Sequence, residues 1–244
     1  MHALLPNELL EVWEQGASLS AAKRALLLLN AACTELTPEQ IAQLSIGQRD
    51  GHLLALREQT FESPLNSIAT CPSCGVRLEF RVNAADICST PLKEPNGVIE
   101  VTHADYSVQF RLPNSLDLAS LDPTADPETN RQYLLQRCVI VAQRAHTEVA
   151  ATELPTEVRT AIARCMAAAD PQADIQLALV CPHCQHAWET PFDIVSYFWS
   201  EIQTWAGRLL REVHSLGSAY GWCEAEVLAL SPWRRQAYLE LIGS

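Results

Sequence analysis

Glycine is scarce in this chain, nine residues among 244, and no stretch gathers them into a loop. A loop that cradles phosphate needs such a cluster, so nucleotide chemistry of that kind is not expected. The nucleophile-elbow pattern is missing as well. Positive charge is the next shortage. Seventeen Lys and Arg stand against 29 Asp and Glu, a net charge of −12. With the acidic residues scattered, most of the surface repels phosphate backbones, and a nucleic-acid partner is not expected. Long apolar runs are lacking too. The longest, near residues 25–33, is too short and too interrupted to span a membrane. The start, Met1 to Pro6, has no basic segment leading into a long apolar core, so no signal peptide is expected. The seven histidines are dispersed, and no two share a helix face at metal spacing. His214, between Val213 and Leu216, reads as a boundary or core residue.

What is present is apolar mass and cysteine. Apolar residues make up 48% of the chain, which argues for a folded protein of one large or two small domains. The nine cysteines are an odd number with no disulfide framework, which points to a reducing cytoplasm.

Four of the nine fall in a motif used twice. The copies are Cys71-Pro72-Ser73-Cys74-Gly75 and Cys181-Pro182-His183-Cys184-Gln185. Each follows a short apolar run and leads into a short alternating stretch with a glutamate, then an Asp-Ile pair, Asp86-Ile87 or Asp193-Ile194. This is a weak internal repeat of about twenty residues. Two thiolates two residues apart can grip one tetrahedral ion, and four complete a closed structural zinc site. One Zn2+ held by Cys71, Cys74, Cys181 and Cys184 would staple two distant parts of the chain and leave no open position for catalysis. His183 and His186 are substitute ligands, or exposed loop and strand positions. A redox reading also exists, because Cys-Pro-His-Cys serves some thiol oxidoreductases at a helix start. Pro191 and the strand pattern of 186–190 argue against a helix there. Cys33, Cys88, Cys138, Cys165 and Cys223 read as small buried hydrophobes.

The rest of the chain reads mostly as helix. A short one covers 6–13, with Asn7 as its cap and Leu9, Leu10 and Trp13 on one face. A buried one covers 20–33. Thr37-Pro38-Glu39-Gln40 opens the next as a capping box. Ser45-Ile46-Gly47-Gln48 repeats that logic and starts a helix to about Phe61, with Arg49 and Arg57 expected on its solvated side. After the first knuckle come a turn-rich connection over 91–97 and a β-hairpin turning near His103-Ala104-Asp105. Asp122 and Asp126 sit in a loop that reads as solvated. Helices are expected over 127–144 and 155–168. The C-terminal part is all helix, with a long amphipathic helix broken at Tyr220-Gly221-Trp222. Its aromatic stripe either packs the protein's own core or offers a surface for a partner helix. Trp199, Trp205, Trp222 and Trp233 are the candidate contacts for the second case.

The fold class expected is therefore α+β, mostly helical. A four-Cys zinc-ribbon-like β unit is assembled from two distant knuckles, with helical N- and C-terminal parts. The division expected is 1–65, 66–192 with an insertion at about 88–175, and 193–244.

The run Leu44-Ser45-Ile46-Gly47-Gln48-Arg49-Asp50, with Leu53 to Arg57 and Phe61, resembles a segment of the baseplate hub assembly chaperones of T-even-type phages. It looks most like the larger, cysteine-bearing relatives found with contractile injection systems. Both knuckles fit, as do Phe110-Arg111-Leu112-Pro113 with Asp117-Leu118, the helix around Leu134 to Cys138, and Tyr220 to Leu239. Cys223 stands where a small polar residue would be expected. The resemblance covers nearly everything beyond residue 35. It implies a non-enzymatic role in building a baseplate or hub, or a minor tail component, with a hub, spike or tape-measure protein as partner. The alternatives are a thiol-disulfide oxidoreductase using Cys181 and Cys184, and a zinc-ribbon regulator that binds nucleic acid.

Overall fold

A computed structural model describes residues 1–61, 64–87 and 97–243, which form two units. The first joins Met1–Ala3 to Ser20–Val195; the second joins Leu4–Leu19 to Ser196–Ser244. No helix among the described residues is long and apolar enough to cross a membrane.

The second unit begins with α1 (Pro6–Gly16). Its cap is Leu5, two residues earlier than Asn7, because Pro6 supplies the preset φ of a first helical residue. The Leu5 N–H donates to the Glu8 carboxylate at 2.8 Å, the half of a capping box that needs no polar side chain at the cap.

The first unit continues with α2 (Ala21–Ala32), α3 (Pro38–Gln43) and α4 (Ile46–Phe61). The capping box at α3 forms as its sequence predicts: Thr37 N–H donates to Gln40 Oε1, and Gln40 N–H to Thr37 Oγ1. Ser45 and Gln48 make the same exchange at the start of α4. Leu28 and Leu29 of α2 and Leu53, Leu54 and Leu56 of α4 are fully buried. Arg49 and Arg57 are buried as well, only 4% and 1% exposed, where a solvated face was expected. Arg49 can lie inside because it pairs with Asp50 at 2.7 Å and reaches the Ser115 hydroxyl, while Arg57 donates to the Pro64 carbonyl. A periodicity count cannot see those partners.

Next come β1 (Leu65–Thr70), β2 (Arg77–Val82) and α5 (Ala84–Ile87). Cys88 and most of the connection expected over 91–97 lie outside the described residues. The hairpin predicted at His103 is β3 (Ile99–His103) and β4 (Tyr106–Phe110), followed by α6 (Ser115–Ala119) and α7 (Pro127–Cys138). Asp126 caps α7 by accepting the N–H groups of Glu128 and Thr129, and both Asp122 and Asp126 are exposed. The helix expected to run to 144 stops at Cys138. Val139-Ile140-Val141 instead opens β5 (Val139–Arg144), which pairs antiparallel with β4 and with β6 (Thr147–Glu148). A β-branched run beside an open strand edge favours the sheet over helix continuation.

A four-stranded sheet thus runs in the order β3-β4-β5-β6. Val108, Phe110 and Ala142 of that sheet bury against Leu135 of α7 and against Val158 and Ile162 of α8 (Thr156–Ala169). Full burial of a side chain such as Phe110 or Ile162 contributes about 2 kcal/mol. The unit ends in β7 (Ile175–Val180) and β8 (Ala187–Phe192).

One buried acid ties several of these elements together. Asp117 in α6 is fully buried and accepts from Arg111 at 2.6 and 2.9 Å, Arg137 Nε at 2.9 Å and the Asn114 N–H at 3.0 Å. Burial pushes its carboxyl up, but the Arg111 hydrogen bonds, the Asn114 N–H and Arg137 together hold it below the usual range.

The second unit resumes at Ser196, within α9 (Ile194–Tyr220), and closes with α10 (Glu224–Leu228) and α11 (Pro232–Ile242). Leu10 of α1 packs with Ala206 and Leu209 of α9, with Trp13, Trp205 and Leu228 around them. Cys223 is the N-cap of α10, a position where a small polar side chain would accept the first free N–H. Glu226 accepts the N–H of Cys223 itself at 2.8 Å. His214 is exposed on α9, not a boundary or core residue.

Candidate metal centre

The two knuckles are the same structure twice. In β1/β2 the register runs from Leu65 opposite Val82 to Thr70 opposite Arg77; in β7/β8 it runs from Ile175 opposite Phe192 to Val180 opposite Ala187. At the tip of the first hairpin Cys71 N–H donates to the Val76 carbonyl and Gly75 N–H to the Cys71 carbonyl, both at 2.9 Å. At the second, Cys181 N–H donates to His186 and Gln185 N–H to Cys181, again at 2.9 Å. The turn needs a left-handed residue. Gly75 has φ +74°, and Gln185 takes φ +59° in its place.

These tips meet. Cys71 Sγ lies 3.7 Å from Cys184 Sγ, and Cys74 Sγ lies 3.6 Å from Cys181 Sγ. All four sulfurs lie within 4.8 Å of one another. A tetrahedral ion with metal–sulfur bonds of about 2.3 Å, the length zinc takes, sets its sulfurs about 3.8 Å apart. The four side chains therefore fit one metal ion, and these four complete its shell. Cys71 and Cys181 are buried, whereas Cys74 and Cys184 are exposed. His183 and His186 are exposed and lie outside the sulfur cluster.

The Cys181 and Cys74 thiols are shifted in opposite directions. The Cys181 thiol is pulled down to about 6 by the backbone N–H of Cys184, aided by that of His183. Cys74 is pushed up to about 12: the Val76 N–H draws it down, but lost solvation and the sulfurs of Cys184, Cys181 and Cys71 outweigh that pull. A cation placed among the four would remove that mutual penalty.

Of the other cysteines, Cys138 is buried, its thiol pushed up to about 11 by desolvation. Cys33 and Cys165 are half-buried and Cys223 is exposed, so Cys138 alone of these four matches the expected buried hydrophobe.

The four candidate contact tryptophans do not form one face. Trp199 is 4% exposed, and its ring fills the space beside Gly16, where an added Cβ would come within 2.2 Å of it. Trp205 is half-buried in the packing around Leu10 and Leu209. Trp222 stacks on Tyr220 at 4.7 Å and meets Tyr238 edge-on at 4.9 Å. Trp233 stands 79% exposed on α11. Residue-level reading misses the Arg111–Asp117–Arg137 cluster and the Arg49–Asp50 pair: it places Arg49 on a solvated face, and Arg111, Asp117 and Asp50 enter only as parts of the family resemblance.

No curated protein and no solved structure matches the chain. The family described as "T4 bacteriophage base plate protein" matches residues 7–199, starting earlier than residue 35 and ending before Tyr220 to Leu239. Because that match takes in both knuckles and well over half of the chain, the protein belongs to the T4 bacteriophage base plate protein family, with a structural or assembly role in a phage baseplate.

Proposed function

We propose that this protein is a non-enzymatic assembly chaperone, or a minor structural component, of the baseplate or hub of a phage-like contractile tail or injection system. The observation that carries the reading is the closed four-sulfur cluster, drawn from two hairpins that both lie within the family match. A shell of four thiolates is complete, so its ion serves as a staple and not as a Lewis acid with a free position. We assign that ion as one structural Zn2+. The protein acts in the cytoplasm on a hub, spike or tape-measure protein, without nucleic acid or membrane. Among the four tryptophans Trp233 is the one most available to such a partner.

Native mass spectrometry of the tagged protein, drawn gently from its own host, tests this. One zinc per chain together with a co-purified hub, spike or tape-measure protein supports it. A metal-free chain two hydrogens lighter, with no tail partner, overturns it in favour of a Cys181/Cys184 oxidoreductase.

A further inference from the structure

Two close sulfur contacts cross between the knuckles. Cys71 meets Cys184 at 3.7 Å and Cys74 meets Cys181 at 3.6 Å. Each pair joins one buried cysteine to one exposed cysteine of the other hairpin. An oxidant arriving from solvent therefore meets Cys74 or Cys184 first, and each has a buried sulfur of the opposite hairpin within 3.7 Å. Each hairpin is a separate two-stranded sheet. Two strands alone are marginal in water, so the link between the hairpins carries part of their stability.

From this geometry we infer that the metal centre is a redox-convertible staple: a peroxide turns it into two cross-knuckle disulfides, Cys71–Cys184 and Cys74–Cys181, and the ion leaves while the hairpins stay tied. The exposed thiolate attacks the peroxide. An S–O bond forms, the O–O bond breaks, and the departing hydroxide takes a proton to become water. The buried thiolate of the opposite knuckle then attacks that sulfur. The S–S bond forms, the S–O bond breaks, and a second hydroxide is protonated to water. Each disulfide consumes one peroxide and two protons, and the dication is released once its thiolates are gone. Closing from the present contacts to a disulfide of about 2.05 Å brings each sulfur pair nearer by about 1.6 Å. Bridges within a knuckle would instead let the hairpins part.

This inference rests on the metal reading, and one experiment separates the two. The full-length chain is analysed for metal, titrated with hydrogen peroxide in the presence of a colorimetric zinc chelator, and mapped by non-reducing peptide mass spectrometry with fragmentation. The expected result is release of the metal as two equivalents of peroxide are consumed, with the peptide of Cys71 and Cys74 linked to that of Cys181 and Cys184 in the stated pairing. Bridges within each knuckle, sulfinic acids without bridges, or retained metal would overturn it. If the reduced chain is purified metal-free, the zinc assignment fails, and the same mapping still decides the pairing.

Discussion

Cys71 and Cys184 stand 113 residues apart in the chain, yet their sulfurs are 3.7 Å apart in space. The contact closes a long loop that holds the four-stranded sheet and its helices. An ion at this point therefore acts on the fold as much as on its own hairpins. Cys71→Ser should lose the bound metal and lower the melting temperature. At free metal a thousandfold above its dissociation constant, the lost binding corresponds to about 4 kcal/mol. Differential scanning calorimetry with metal analysis checks this. A variant that melts like the parent and keeps full metal would refute the structural role.

Asp117 carries a second prediction. It lies fully buried against Arg111, which is half-buried, and Arg137, which is exposed. Asp117→Asn keeps the shape but leaves two guanidinium groups without their anion. The expected loss is about 3 kcal/mol, at the lower end for a broken buried pair because solvent reaches both arginines. Urea unfolding should show an earlier midpoint at unchanged slope.

Much of this arrangement was legible before any coordinates. The knuckles could be read because metal chemistry needs a fixed local spacing, and the capping boxes because they are three-residue patterns. The turn at His103 was signalled by alternation on both sides. What stayed hidden depends on partners far along the chain. Arg57 looks solvated by helical count, and its burial is explained only by groups such as the Pro64 carbonyl that meet it in space. The strand at Val139 wins over helix because β4 lies beside it, a fact of topology and not of local pattern. Trp199 and Trp233 differ in exposure although both sit on apolar-rich helices, since only Trp199 has Gly16 to make room for its ring.

Asp50 should give the protein an acid-side gain in stability. Burial pushes its carboxyl from 3.8 up to about 6; Arg49 opposes that rise, while Asp193 and Asp170 add to it. The folded state thus holds this proton more tightly than the unfolded chain does. The contribution of Asp50 is fully present below the unfolded value and is lost as pH rises through about 6. Between pH 7 and pH 4 the native protein should gain roughly 2 kcal/mol relative to an Asp50→Asn variant. Comparing the two under the same metal conditions cancels the pH dependence of metal binding. Parallel stability curves would show that Asp50 titrates normally.

The duplicated knuckles offer an internal control on backbone strain. Gly75 and Gln185 occupy the same place in their turns, at φ +74° and +59°. A left-handed conformation costs a side-chain-bearing residue roughly 1–2 kcal/mol, which glycine avoids. No atom lies within 4 Å of a Cβ built on Gly75, so Gly75→Ala would be penalised by conformation alone and not by collision. Its expected cost is about 1 kcal/mol. Gln185→Gly should move stability the other way, by about 0.5–1 kcal/mol once the greater freedom of the unfolded glycine is subtracted. Neither change touches a sulfur, so metal content should stay at the parent level in both. Calorimetry on the metal-loaded pair tests this: shifts of opposite sign support a shared strained turn. A Gln185→Gly variant less stable than the parent would mean that the glutamine side chain, whose amide donates to the Pro182 carbonyl at 3.3 Å, outweighs the backbone strain.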